Sequence, residues 1–87
     1  METPRLLQFP CDYPIKVMMR TDPVIRAAAD AVIARHAGEA AATRASERAS
    51  AQGNFTGVTY TIVASGEPQI AALFADLQQI DGILLVI

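Results

Sequence analysis

One stretch of the chain carries most of the information about its architecture: SAQGNFTGVTYTIVA, residues 50–64. From Val58 onward, large apolar residues alternate with threonine, and period-two alternation of β-branched and aromatic residues is typical of a β-strand. One side of this strand carries Val58, Tyr60, Ile62 and Ala64, and the other carries Gly57, Thr59, Thr61 and Val63. The stretch predicts a long strand at the centre of the fold.

The strand is preceded by Gly53-Asn54, the two residue types that adopt positive φ at low cost. A tight turn here would join the long strand to an antiparallel partner on its N-terminal side. Two interpretations of the segment remain open. It is either a plain hairpin turn or a loop that cradles a ligand, with Ser50, Gly53 and Asn54 as the candidate contacts.

Composition limits the class of protein. The chain has 87 residues, enough for one domain, and a net charge of −2, which argues against nucleic acid as the main partner. Its single cysteine, Cys11, excludes an internal disulfide and suits a reducing compartment. The sequence has neither a membrane-spanning apolar run nor a signal-peptide pattern. We therefore expect a cytoplasmic domain that binds neither nucleic acid nor membrane.

Residues 1–12 contain two prolines and no sustained period, so they predict an irregular N-terminal arm, and residues 13–87 predict one α+β domain. Tyr13–Arg20 alternates as a first strand. Its inward residues would be Ile15, Val17 and Met19, and its outward residues Lys16, Met18 and Arg20.

A helix is predicted to begin at Asp22-Pro23, because aspartate caps free N–H groups and proline fits the first helical position. Its apolar stripe would consist of Val24, Ile25, Ala28, Ala29, Val32 and Ile33. Gly38 is a plausible end. His36 falls in the last turn, and we interpret it as a helix-end histidine rather than a catalytic base.

Residues 40–50 give conflicting signals. Alanine, arginine and glutamate favour a helix, yet Arg44 and Arg48 would then place like charges four residues apart. The long strand also needs a hairpin partner before Gly53. We therefore predict an edge strand over residues 40–50, since charge protects sheet edges.

The second half repeats the order of the first. A helix follows Ser65-Gly66-Glu67-Pro68, and Ile83–Ile87 predicts a final strand. The resulting βαββαβ order, with right-handed crossovers, predicts a ferredoxin-like sandwich. Its antiparallel sheet would have four strands in the order 4-1-3-2, with both helices on one face. The other face would have no cover within the chain.

Several cations are predicted to converge on this uncovered face. Arg44, Ser46 and Arg48 would share it with Gly57, Thr59 and Thr61, and strand one would add Lys16 and Arg20. The face is either a binding surface for a small anion, an acidic protein or another subunit, or a set of long cationic side chains that only solvate the sheet. The candidate binding residues are Lys16, Arg20, Arg44, Arg48, Ser50, Gly53 and Asn54.

Catalysis is not predicted. One histidine and one cysteine cannot form the usual zinc site, and no glycine-rich phosphate loop is present. Cys11 lies beside Asp12, whose carboxylate would disfavour the thiolate. We expect no catalytic residues, no metal and no cofactor.

The motifs resemble those of a known family. They are Phe9-Pro10 with Tyr13 and Lys16-Val17-Met18, then Arg35-His36-Ala37, Ser50-x-x-Gly53-Asn54-Phe55, Leu73-Phe74-x-x-Leu77 and Ile80-Asp81. In order and spacing they resemble the small bacterial YbeD-like family, DUF493 or UPF0250. The resemblance implies a fold similar to ferredoxin-like regulatory domains of the ACT type. Glu47 departs from the family pattern, which has an apolar residue there.

Two functions follow as expectations. The first is a regulatory module that binds a small anionic ligand, as the resemblance to ACT-like domains implies. The second is an adaptor that binds an acidic protein partner through the sheet face or an edge strand. Because the last strand is apolar and lies at an edge, we also expect either a weak homodimer or a cover formed by residues 1–12.

Overall fold

The computed structural model describes residues 8–87 and contains the predicted strand and helix order with one additional short helix. The strands are β1 (Cys11–Arg20), β2 (Ser46–Ala49), β3 (Phe55–Ala64) and β4 (Ile83–Val86), and the helices are α1 (Pro23–Ala37), α2 (Glu39–Thr43) and α3 (Glu67–Gln78). The strands form one antiparallel sheet in the order β2-β3-β1-β4. This confirms the predicted order and the ferredoxin-like α+β fold.

The two central strands form the longest ladder of the sheet. β1 and β3 pair from Cys11 opposite Ala64 to Arg20 opposite Phe55. Alternate side chains of both strands point to the helices and are fully buried: Ile15, Val17, Met19, Val58, Tyr60, Ile62 and Ala64. The predicted division of both strands into an inner and an outer side is confirmed.

The helices cover the inner side of the sheet. α1 buries Ile25, Ala29, Val32 and Ile33, and α3 buries Leu73 and Leu77. The start of α1 is as predicted, because a side-chain oxygen of Asp22 accepts a 2.8 Å hydrogen bond from the backbone N–H of Val24. The apolar stripe is narrower than predicted, since Val24 is 75% exposed in the first turn.

The prediction of a continuous edge strand over residues 40–50 is wrong. Glu39–Thr43 forms α2, which packs against α1 and β3 and buries Ala41, and only Ser46–Ala49 forms β2. The helical propensity of the alanines prevails where their small side chains can pack against α1. The hairpin partner that β3 needs is thus supplied by four residues, and all of them are exposed.

Two further predictions concern the chain segments before β1 and before β3. β1 begins two residues earlier than expected, so Cys11 and Asp12 pair with Ala64 and Val63 instead of belonging to the arm. Residues 1–7 of the predicted arm, and any cover they give, lie outside the described residues. Gly53 has φ +77° and its N–H donates to the carbonyl of Ser50 at 3.0 Å, which confirms a tight turn before β3.

Over residues 8–87 no helix has the length and apolarity needed to cross a membrane.

Candidate functional site

The sheet side that faces away from the helices, here called the open face, receives side chains from all four strands. Because successive residues of a strand point to opposite sides, the residues between the buried positions all reach this face. Its central members are exposed or half-buried: Lys16, Met18, Ser46, Arg48, Phe55, Gly57, Thr59 and Leu85. The open face is therefore a surface built by rigid strands rather than by loops.

Strand register arranges these residues in two rows. In the first row, Ser46 and Lys16 lie on either side of Thr59. In the second row, Arg48 and Met18 lie on either side of Gly57, and Leu85 lies beyond Met18. The register thus places one cation in each row, on opposite sides of β3.

Gly57 forms the floor of a shallow concavity of about 680 Å³ between these residues. A Cβ atom built on Gly57 would have only ordinary contacts, 3.7 Å to the Cε of Met18 and 3.9 Å to the carbonyl oxygen of Arg48. The missing side chain, rather than a distorted backbone, opens the space. The concavity is a gap in the outer layer of side chains, and a ligand could contact the strand backbone there.

The two cations beside the concavity, Lys16 and Arg48, are not neutralised by an acid of the described residues. Neither Lys16 nor Arg48 has a carboxylate within ion-pair distance among residues 8–87. Arg26, in contrast, lies 3.0 Å from Asp30, and Arg35 lies 3.2 Å from Asp76. The open face therefore combines positive charge with hydroxyl groups at its centre.

Glu47 is the acid closest in sequence to Arg48, and strand alternation turns it away. It lies opposite Val58, whose side chain is buried under the helices, and its carboxylate pairs with Arg26 of α1. This ion pair ties the edge strand β2 to the helix layer. Within the described residues it also leaves Arg48 without an acidic partner, since the carboxylate of Glu47 is held on the other side of the sheet.

Apolar side chains form the rest of the concavity. Met18 and Phe55 are each 41% exposed, Leu85 is 53% exposed and Ile87 is 61% exposed, and all four line the space. Ile87 is fixed beside Lys16 by two backbone hydrogen bonds of 2.8 and 2.9 Å. The concavity is therefore polar towards β2 and apolar towards β4.

Three of the seven residues that the sequence indicated lie together at this site. Lys16, Arg48 and Ser50 line the concavity. Arg20 is also on the open face but lies at its far end, 4.0 Å from Asp81. It is not part of the lining.

The other three predicted residues lie elsewhere. Arg44 follows α2 and is outside β2, so it does not continue the row of Ser46 and Arg48. Gly53 and Asn54 lie in the turn before β3 and serve its geometry, since the carbonyl of Asn54 accepts a 2.9 Å hydrogen bond from the N–H of Thr21. Neither residue lines the concavity.

Sequence reasoning missed the apolar half of the site. Met18 was predicted to point outward but was not considered a ligand contact. Its place among the outward residues of an alternating strand was the signal that could have indicated an apolar contact on the open face. Leu85 and Ile87 could not be assigned to a face, because Ile83–Ile87 is apolar throughout and β4 has an irregular register beside Met18 and Met19.

The polar contacts on the helix side are structural. Asp76 of α3 accepts hydrogen bonds from His36 at 2.7 Å and from Arg35 at 3.2 Å, which hold the pKa of its carboxyl below the ordinary value. The side chain of Gln69 also donates to the carbonyl of His36 at 2.8 Å. His36 thus joins the end of α1 to α3, in the helix-end position that the sequence indicated.

Within residues 8–87 there is no cluster of three potential metal ligands.

The fold and the site together define a small ferredoxin-like α+β domain with a partly cationic sheet face that no helix of residues 8–87 covers. The chain belongs to the family described as "Protein of unknown function (DUF493)", whose model matches residues 4–87. It is 35% identical over 72 residues to a UPF0250 protein of Paraburkholderia phytofirmans, covering 83% of this chain and 81% of that protein. It is 30% identical over 86 residues to a UPF0250 protein of Hahella chejuensis, covering 99% and 93% of the two chains. A UPF0250 protein of Vibrio cholerae is 35% identical over 82 residues, with coverage of 94% and 87%.

Proposed function

We propose that this protein is a non-enzymatic regulatory module that binds a small anionic ligand on the open face. One observation carries the proposal: Arg48 lies beside Gly57, Lys16 lies beside the neighbouring Thr59 on the other side of β3, and neither cation has an ion-pair partner in the described part of the chain. The likeness of the family fold to ACT-type regulatory domains supports the proposal by analogy.

The physical basis is a charge-assisted contact at a partly enclosed surface. Hydrogen bonds from ammonium or guanidinium groups to an anion are shorter and stronger than neutral ones. The hydroxyl groups of Ser46, Ser50 and Thr59 add donors around the same space. An anion there would displace water from the floor at Gly57 and be held from both sides of β3.

The proposal includes no chemistry on the ligand. His36 lies on the helix side, engaged with Asp76, and Cys11 begins β1. The lining of the concavity contains neither of these two residues. We also place the protein in the cytoplasm, where a lone thiol stays reduced.

A thermal-shift panel of amino acids, nucleotides and small carboxylates tests the proposal. A ligand at about 100 times its Kd raises the free energy of unfolding by about 2.7 kcal/mol, so the melting temperature should rise for some anions. The combination of Lys16→Ala and Arg48→Ala should abolish the rise. No rise for any anion in the panel would refute the proposal.

Arg44→Ala is the matched control for Arg48→Ala. Both arginines are exposed, both removals change the net charge equally, and only Arg48 lines the concavity. Arg44→Ala should leave the ligand shift intact. Equal loss of the shift in both variants would mean that the ligand senses net charge and not the open face.

A second candidate function is favoured by the β4 edge. Leu84 is 54% exposed and Leu85 is 53% exposed in an edge strand without a charged residue, a combination that invites pairing with another strand. An adaptor would use this edge to bind an acidic protein or a second copy of the chain. Sedimentation velocity across a concentration series separates self-association from a monomer, and failure of Leu84→Lys to weaken any association would exclude the edge.

A further inference from the structure

In both rows of the open face, apolar side chains lie on the β4 side of the cation. From β2 to β4, the row of Gly57 consists of Arg48, Gly57 itself, which has no side chain, Met18 and Leu85. The neighbouring row runs from Ser46 and Thr59 to Lys16 and Ile87. A simple inorganic anion would contact the cations only and leave the apolar side chains beside them in water.

We propose that the ligand is an amphipathic monocarboxylate, with its carboxylate over Gly57 between Lys16 and Arg48 and its apolar body across Met18 towards Leu85 and Ile87. The inference rests on the proposed function and specifies the ligand class. Charge complementarity selects the anionic end, and the exposed methionine, leucine and isoleucine select the apolar end.

The strand spacing sets the length of the apolar body. Gly57 on β3 and Leu85 on β4 are two strands apart, a distance of about 10 Å at the usual interstrand spacing. A carboxylate that carries an aromatic ring on a short alkyl linker would reach from Gly57 to the exposed side chain of Leu85, whose own length bridges part of that distance. A second charge at the far end would lie against the apolar side chains of Met18 and Leu85.

A titration followed by ¹H–¹⁵N NMR with three probes tests the inference: 3-phenylpropionate, its amide 3-phenylpropionamide, and acetate. The acid should bind with shifts centred on Gly57, Met18 and Leu85. It should bind roughly tenfold or more tightly than acetate, because acetate lacks the apolar body. It should also bind roughly tenfold or more tightly than the amide, because the amide lacks the charge.

The outcomes separate the inference from the function on which it rests. Equal binding of acetate and 3-phenylpropionate would overturn the inference and leave an anion-binding module. Equal binding of the acid and the amide would overturn both, as would the absence of shifts with all three probes. Shifts at Met18 and Leu85 that depend on protein concentration without a probe would identify a second copy as the occupant and overturn the inference.

Two neighbouring leucines supply a matched pair of variants. Leu84 and Leu85 are 54% and 53% exposed in the same strand, but only Leu85 lines the concavity. Leu85→Asn should weaken binding of 3-phenylpropionate several-fold and leave acetate binding unchanged, whereas Leu84→Asn should change neither. Equal weakening by both substitutions would contradict the placement of the apolar body.

Discussion

The hydroxyl of Tyr60 donates a 2.6 Å hydrogen bond to the Oδ1 atom of Asp30, joining the centre of β3 to the middle of α1. The ring is fully buried, and the same carboxylate oxygen also accepts a 3.0 Å hydrogen bond from Arg26. Burial, and then the bond to the Asp30 carboxylate, raise the pKa of Tyr60 well above its ordinary value. The contact is therefore a polar link between the two layers of the fold that requires the neutral phenol.

Tyr60→Phe should lower the free energy of unfolding at neutral pH by about 1.5–3 kcal/mol, the usual range for a hydrogen bond to a charged group. Because the pKa of Tyr60 is raised in the folded state, the contribution is fully present below the ordinary value of 10.0 and is lost as pH rises above it. Urea denaturation from pH 7 upward checks this. A difference between wild type and variant that stays constant above pH 10 would contradict the assignment.

Gly82→Ala should lower the free energy of unfolding by about 2–4 kcal/mol, because alanine is strained at positive φ and its Cβ would crowd a neighbouring side chain. Gly82 has φ +99° and is buried, and a Cβ there would collide with Cδ1 of Ile25. Gly53→Ala is the control, since Gly53 has φ +77° and nothing within 4 Å of an added Cβ. Gly53→Ala should lower the free energy of unfolding by only about 1–2 kcal/mol. Equal losses in urea denaturation would show that packing against Ile25 contributes nothing.

Gly57→Val should abolish ligand binding on the open face without lowering the melting temperature. An added Cβ meets no atom closer than 3.7 Å, and valine has a higher strand propensity than glycine. Thr61→Val provides the control on the same strand and face, outside the lining of the concavity. Calorimetric titration combined with thermal melts checks both properties. Retained binding in a folded Gly57→Val protein would place the site elsewhere.

Glu47→Gln should loosen β2 more than it lowers overall stability. The pair with Arg26 is partly exposed, so its loss should cost at most about 1 kcal/mol of unfolding free energy. Amide hydrogen exchange of Ser46 and Arg48 should nevertheless become faster, because this ion pair ties β2 to α1. Glu39→Gln is the control, an exposed acid without an ion pair in the described residues. Unchanged exchange in β2 would exclude the role of the pair.

Asp76→Asn should reduce stability at neutral pH, with an effect that disappears in acid. Hydrogen bonds from His36 and Arg35 lower the pKa of Asp76, so its contribution is present above the ordinary value of 3.8 and is lost as pH falls through the folded-state pKa. Thermal melts from pH 7 down to pH 2 check this. If the variant remained less stable than wild type to the same extent at the lowest pH, ionised Asp76 would not be the cause.

The central strands could be predicted because their side chains carry a regular signal. In β3 the buried positions Val58, Tyr60 and Ile62 alternate with Thr59 and Thr61, so both the strand and its two faces follow from period two. The same holds for Ile15, Val17 and Met19 in β1. These patterns, together with an even-numbered turn between β2 and β3, place Lys16 and Arg48 on one face.

The helix α2 and the outward residues of β4 could not be predicted, because α2 is short and β4 is uniformly apolar. α2 has five residues, too few for a helical period to be visible, and the requirement for a hairpin partner to β3 outweighed the propensity of its alanines. In β4, the apolar run Ile83–Ile87 offers no alternation from which the outward position of Leu85 could be inferred. The cationic half of the site was therefore predictable and the apolar half was not.

The strand order β2-β3-β1-β4 interleaves the two halves of the chain. Neither β1 with β2 nor β3 with β4 is a neighbouring pair, so a fragment cut in the turn at residues 50–54 would hold two strands with no shared ladder. Outside the short β2-β3 hairpin, strand pairing must wait until segments more than thirty positions apart in the chain meet, as in Arg20 opposite Phe55. We therefore expect the central β1-β3 ladder to carry most of the loop-closure cost of folding, whereas the helices and the β2-β3 hairpin need only local contacts.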